Sequence, residues 1–176
     1  MTDEQIFLSA QILGLMRHAA EIAGQLREPF ITVRTLLLAL LDDAEIGSAL
    51  SEALPREKLD AYQMSAEAAK ADIAGRVAEP NMQAGERAAM LRFNTLAFKT
   101  PDGSKSVWLS REAFSAWNEG AKRVEDGSPY LPKHLAFGIA ADAVRAPGIL
   151  AAMHLSPGAI TEAILNIGKE KKEEDK

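Results

Sequence analysis

The stretch FITVRTLLLALLDD, residues 30–43, is the most hydrophobic part of the chain, and from Leu36 to Leu41 no polar residue interrupts it. A helix built from it has no polar face and must be covered on every side. A membrane-spanning helix needs about 20 predominantly apolar residues, and Asp42-Asp43 end this block first, so an anchor is excluded. The block is therefore a buried helix. Hydrophobic residues make up 47% of the 176 and charged residues 26%, the balance of a folded chain with a real core rather than a disordered one. What remains is to find the neighbours that cover the helix.

The flanking sequence supplies some of them. Thr2 with Gln5 forms a capping-box pattern, and Ile6, Leu13, Met16, Ala20, Ala23 and Leu26 recur at helical spacing, predicting a first helix that runs to about Leu26 before Pro29. Thr32 is the expected N-cap of the leucine helix. A short helix through Ile46 and Leu50 follows. Pro55 opens a fourth, with Leu59, Tyr62, Ala66, Ala69, Ile73 and Val77 on one side, ending before Pro80. Four helices with short connections make a compact all-α unit.

The second half repeats this order. LSREAFSAWNEGAKRV, 109–124, lies on LSAQILGLMRHAAEIA, 8–23, at an offset of 101, matching Ser9 with Ser110 and Met16 with Trp117. YLPKHLAFGIAAD lies on ITVRTLLLALLDD at an offset of 99, matching Leu36 with Leu135, Leu40 with Ile139 and Asp43 with Asp142. Ile149 matches Leu50, and Ser156-Pro157 opens a helix as Pro55 does. The chain is internally duplicated. The leucine block is the central helix of repeat one, and HLAFGIAA is its weaker copy.

Composition and motifs exclude several functions. There are no cysteines, so no disulfide scaffold, thiolate metal site or cysteine nucleophile exists. A net charge of -5 argues against nucleic-acid binding. The start MTDEQIFLSAQ is acidic where a secretory signal is basic, and the expectation is a cytoplasmic protein. His18, His134 and His154 are scattered and read as solvated, capping and helix-end residues respectively. No H-E-x-x-H, no G-x-S-x-G and no carboxylate cluster occurs, so neither enzyme activity nor a cofactor is expected.

The paired segments, with the Ala19–Ala23 step, TVRTLLLALL at 32–41 and LPKHLAFGIA at 131–140, resemble the N-terminal domain of Clp-type AAA+ unfoldases. That domain is a pseudo-twofold pair of four-helix repeats. The resemblance covers residues 3–78 and 109–168, leaving 169–176 as a charged flexible tail. It implies a mainly all-α fold and a non-enzymatic protein-binding module, with a Clp ATPase, an adaptor or a substrate protein as partner. A small-molecule-binding or hydrolytic protein with a pocket between the repeats is the alternative. No G-x-x-x-x-G-K-[ST] phosphate loop is present, since Gly168-Lys169 is followed by Glu170. The expectation is thus a stand-alone domain without its motor.

Two sets of residues are candidate partner sites. Between the repeats, residues 79–109, Phe93, Phe98 and Trp108 flank Pro101-Asp102-Gly103-Ser104, a strong turn signal. A β-hairpin with strands around Arg92–Lys99 and Lys105–Leu109 is predicted, and an extended surface loop is the alternative. The second set is Arg34 with Lys133, matched across the repeats at the start of each central helix. Some family members carry glutamates there that hold the guanidinium of phosphorylated arginine. Cationic residues would repel that group, so carboxylate or phosphate is the expected ligand.

Overall fold

A computed structural model describes residues 8–61, 97–145 and 148–174 of the chain. Repeat one contains α1 (Ala10–Gln25), α2 (Val33–Leu41), α3 (Gly47–Leu50) and α4 (Arg56–Ala61). Two short strands follow, β1 (Ala97–Lys99) and β2 (Ser106–Trp108), and then α5 (Arg111–Ala121), α6 (Pro132–Arg145), α7 (Gly148–Ala152) and α8 (Pro157–Glu174). The fold is mainly helical, and the four-helix order of repeat one recurs in repeat two. The expected continuation of α4 beyond Ala61 lies outside the described residues, as does the Thr2–Gln5 box.

The repeats are stitched together reciprocally. Leu8 forms a parallel bridge with Tyr130, and Leu109 forms one with Ile31. Under the offsets of 101 and 99, each bridge maps onto the other, which is the signature of a pseudo-twofold axis. Ser9 N–H donates to Tyr130 O at 3.2 Å, and Ser110 N–H donates to Ile31 O at 2.8 Å. Both serines then cap their helices, accepting from Ile12 N–H and Ala113 N–H. This corrects the first helix: it starts at Ala10, because Ser9 is extended (φ -67°, ψ 158°) and its hydroxyl already serves the helix end.

The leucine helix is covered on all sides, as its composition demands. Every residue from Val33 to Leu40 is buried, and α2 touches α1, α3, α4, α5 and α6. Its N-terminus is closed by a reciprocal box in which Thr32 Oγ1 accepts from Thr35 N–H and Thr35 Oγ1 accepts from Thr32 N–H. At the matched place in repeat two, His134 Nδ1 accepts from Leu131 N–H at 2.9 Å. Leu135 and Ile139 are buried opposite Leu36 and Leu40. Trp117 and Met16 are both core residues, with Trp117 stacked on Tyr130 at 4.3 Å between centroids. In the third helix of repeat two, Leu150 takes the buried place of Leu50, one residue beyond the sequence match at Ile149.

Gly138, at the place of Ala39 in the second copy, marks a close crossing of helices. A Cβ on Gly138 would fall 2.3 Å from Ala116 O and 2.4 Å from Gly120 N, and one on Gly120 would fall 2.2 Å from Tyr130 Oη. Helices α5 and α6 cross with backbones in contact, which only glycine permits. Tyr130 Oη crosses the same junction to donate to Trp117 O at 2.9 Å.

Candidate partner-binding site

The Arg34–Lys133 pair does not form the expected anion site. Arg34 is buried, and its Nη2 donates to Glu28 Oε1, with both side chains 8% exposed. Glu28 Oε2 also accepts from Thr32 Oγ1 at 2.9 Å, and Arg34 Nη1 reaches Leu59 O at 3.4 Å. The guanidinium therefore ties the α1–α2 turn to α4. Its charge is already spent on an internal carboxylate. Lys133, by contrast, is exposed in the first turn of α6. Residues matched by the duplication have thus diverged, one into the core and one at the surface. The sequence put Glu28 six residues before Arg34 but gave no sign that the Pro29 turn would fold it back.

The inserted segment is a hairpin, with Phe98 opposite Val107 and Ala97 opposite Trp108 in antiparallel register. Gly103, at φ +75°, closes the turn, and its N–H donates to Thr100 O at 2.8 Å. Asp102 Oδ1 accepts from Thr100 Oγ1 and from Ser104 N–H and Oγ, which hold its carboxyl down to about 2. Strand alternation divides the aromatics. Phe98 is buried and tilts against Trp117 at 5.6 Å, so it is a core residue and not a partner contact. Trp108 faces out and is 42% exposed. Its carbonyl accepts from Ile31 N–H, so the end of β2 is paired with repeat one rather than free. Phe93 lies outside the described residues.

The histidines have separate structural tasks. His18 Nε2 lies 2.7 Å from Asp42 Oδ2, and Arg56 Nη2 donates to Asp42 Oδ1 at 2.5 Å. Partial burial raises the Asp42 carboxyl, but the hydrogen bonds from His18 and Arg56 outweigh it and leave the group below its ordinary value. His134 is driven below the ordinary histidine range by burial, assisted by the Lys133 charge. Its neutral form is the one that can accept from Leu131. His154 adopts φ 57° in the turn before α8, where its carbonyl accepts from Lys58 Nζ. Among the described residues no group of three or more His, Asp or Glu is placed to hold a metal ion.

A concave surface joins the repeats, lined by residues that the sequence did not single out. Residues 48–53 at α3 and the 159–167 face of α8 line a trough of about 700 Å³. Alanines 49, 53, 159 and 163 line it half-buried, and Glu52, Glu162 and Asn166 line it exposed. A second hollow of about 430 Å³ continues from it past Ser48 and Ser51 to Leu54, Arg56 and Glu57. Among the lining residues there is no histidine or lysine, and the single arginine is held by Asp42. Alanine and serine carry no motif, which is why the groove is invisible in one dimension.

No protein-family model matches the sequence, and no curated protein matches it. Solved structures do. The N-terminal domain of the caseinolytic protease-associated chaperone ClpD from Arabidopsis thaliana superposes with a TM-score of 0.52 over 95% of this chain and 99% of that one, at 15% sequence identity. The fold is that of a Clp N-terminal domain. At this identity the likeness concerns the path of the backbone, and with it the pseudo-twofold pair of four-helix repeats. The hairpin fits that description as a small antiparallel addition between them. Among the described residues no helix is long and apolar enough to cross a membrane.

Proposed function

We propose that this chain is a non-enzymatic protein-binding module that recognises substrates or adaptors for, or regulates, a Clp-type unfoldase. The observation that carries this reading is the Clp N-terminal-domain fold, in which the duplicated helices build surfaces rather than an enclosed reaction chamber. The concavity between the repeats is open, and among the described residues no hydrogen-bonded nucleophile–base pair or metal trio lines it. That favours recognition over the hydrolytic alternative. Residues 1–168 form the module, the charged residues 169–174 continue α8 as helix instead of a flexible tail, and the setting is the cytoplasm. Trp108 and Lys133, both exposed, are retained as partner contacts. Arg34 and Phe98 are withdrawn on burial. Affinity capture with mass spectrometry, using the purified chain as bait, tests the reading: enrichment of a Clp ATPase or its adaptor is expected. Enrichment of neither, with a small metabolite co-purifying instead, would replace it with the small-molecule alternative.

A further inference from the structure

The geometry points to the α3–α8 trough as the docking surface for a cationic, extended segment of a partner polypeptide. This deepens the binding-module reading and rests on it. Its small alanines leave room for a backbone and the aliphatic stems of lysine or arginine, whose heads would reach the exposed glutamates. Glu52 and Glu162, from different repeats, line the same trough, and Glu57 lines the adjoining hollow. The only cation in the lining, Arg56, is engaged by Asp42 at 2.5 Å. Among the described residues the trough presents acidic side chains beside small alanines with no unengaged cation in its lining, which attracts cationic chains and repels phosphate-bearing polymers and anionic lipid. Two hollows sharing Ser48 and Ser51 make it longer than one side chain requires, which suits a run of residues. Because the lips come from α3 and α8, an occupied groove would also clamp the two repeats together.

The test uses the full chain and a fluorescein-labelled lysine–alanine peptide, read by anisotropy at low salt. Saturable binding is expected, weakened roughly tenfold by Glu52→Lys with Glu162→Lys, since two exposed attractions become repulsions. Asn166→Trp, an exposed α8 residue lining the trough, should block it sterically without touching a charge, and Asp126→Lys, far along the chain on an exposed turn, should change little. Absent binding, equal loss in Asp126→Lys, preference for a glutamate–alanine peptide, or self-association abolished by Asn166→Trp would each overturn the groove. The parent reading fails differently. If a Clp ATPase or adaptor is captured equally by wild type and by the double variant, the module stands and the groove falls. If neither is captured while the lysine–alanine peptide still binds at the trough, the groove stands and the Clp connection falls.

Discussion

Gly138→Ala sets helix propensity against backbone proximity, and the structure says which wins. Gly138 lies inside α6, where alanine is favoured over glycine by about 0.5–1 kcal/mol. Its added methyl would sit 2.3–2.7 Å from Ala116 O, Gly120 N and Gly120 Cα, all backbone atoms that cannot rotate away. Restoring ordinary contact requires α5 and α6 to separate by about 1 Å, which forfeits a quarter to a half of each dispersion contact across the junction. Overpacking of this kind costs about 1–3 kcal/mol, and here it also strains the Tyr130–Trp117 hydrogen bond. The net expectation is destabilisation by about 1–2 kcal/mol, lowering the urea midpoint by about 1 M for a typical dependence on denaturant. Gly14→Ala is the matched control, because Gly14 is also inside a helix but has nothing within 4 Å of its Cβ site. It should stabilise by about 0.5–1 kcal/mol. Urea melts followed by far-UV circular dichroism decide the matter, and equal shifts of the same sign in both variants would refute the close crossing.

Four further outcomes follow from the same contacts. Leu40→Ala removes a fully buried side chain at the centre of α2 and should cost about 2–5 kcal/mol in the same melts. Arg34→Met leaves Glu28 buried without its cation and should cost about 3–5 kcal/mol, with the double variant Arg34→Met/Glu28→Gln recovering much of it; a loss under about 0.5 kcal/mol would place Arg34 at the surface after all. Because the folded-state pKa of His134 is depressed, its contribution is present above about pH 6.5 and is lost as pH falls toward the lower folded value, with a slope of at most about 1.4 kcal/mol per pH unit. His134→Thr, which installs the capping residue of repeat one, should flatten stability between pH 7 and 5, and an unchanged slope would exclude His134 as its source. The Asp102 carboxyl, held down to about 2, supports the hairpin turn above the ordinary aspartate range, and that support is lost as pH falls through about 2; Asp102→Ala should raise amide exchange at Gly103 and Ser104 near neutral pH.

Much of the fold was legible because burial and duplication both leave linear traces. An apolar run with no polar face must be central, and Leu36, Leu40, Leu135 and Ile139 are central. The hairpin announced itself through Pro101-Asp102-Gly103 flanked by alternating aromatics; β2 spans only Ser106–Trp108 of the expected Lys105–Leu109, and 92–96 of the expected first strand lie outside the described residues. The Ser9 cap of the first helix went unread, because its extended backbone is held by a hydrogen bond to Tyr130 from the other repeat. The candidate site was harder to read. Charge at Arg34 said nothing of the Glu28 carboxylate folded over it, and Phe98 and Trp108, ten residues apart, face opposite ways only once the register is fixed. The trough depends on Ala49 and Ala163 lining one concavity from different repeats, a juxtaposition that no spacing encodes.

Whether this chain is a recognition module for a Clp machine is tested most simply by direct binding. Sedimentation velocity of the purified chain with an assembled Clp-type ATPase from the same organism, with and without its adaptor, should show the chain moving with the larger particle. Co-sedimentation should weaken in Glu52→Lys/Glu162→Lys if the trough is the contact. A chain that sediments alone in every mixture, at concentrations where its fold is intact by circular dichroism, would contradict the assignment.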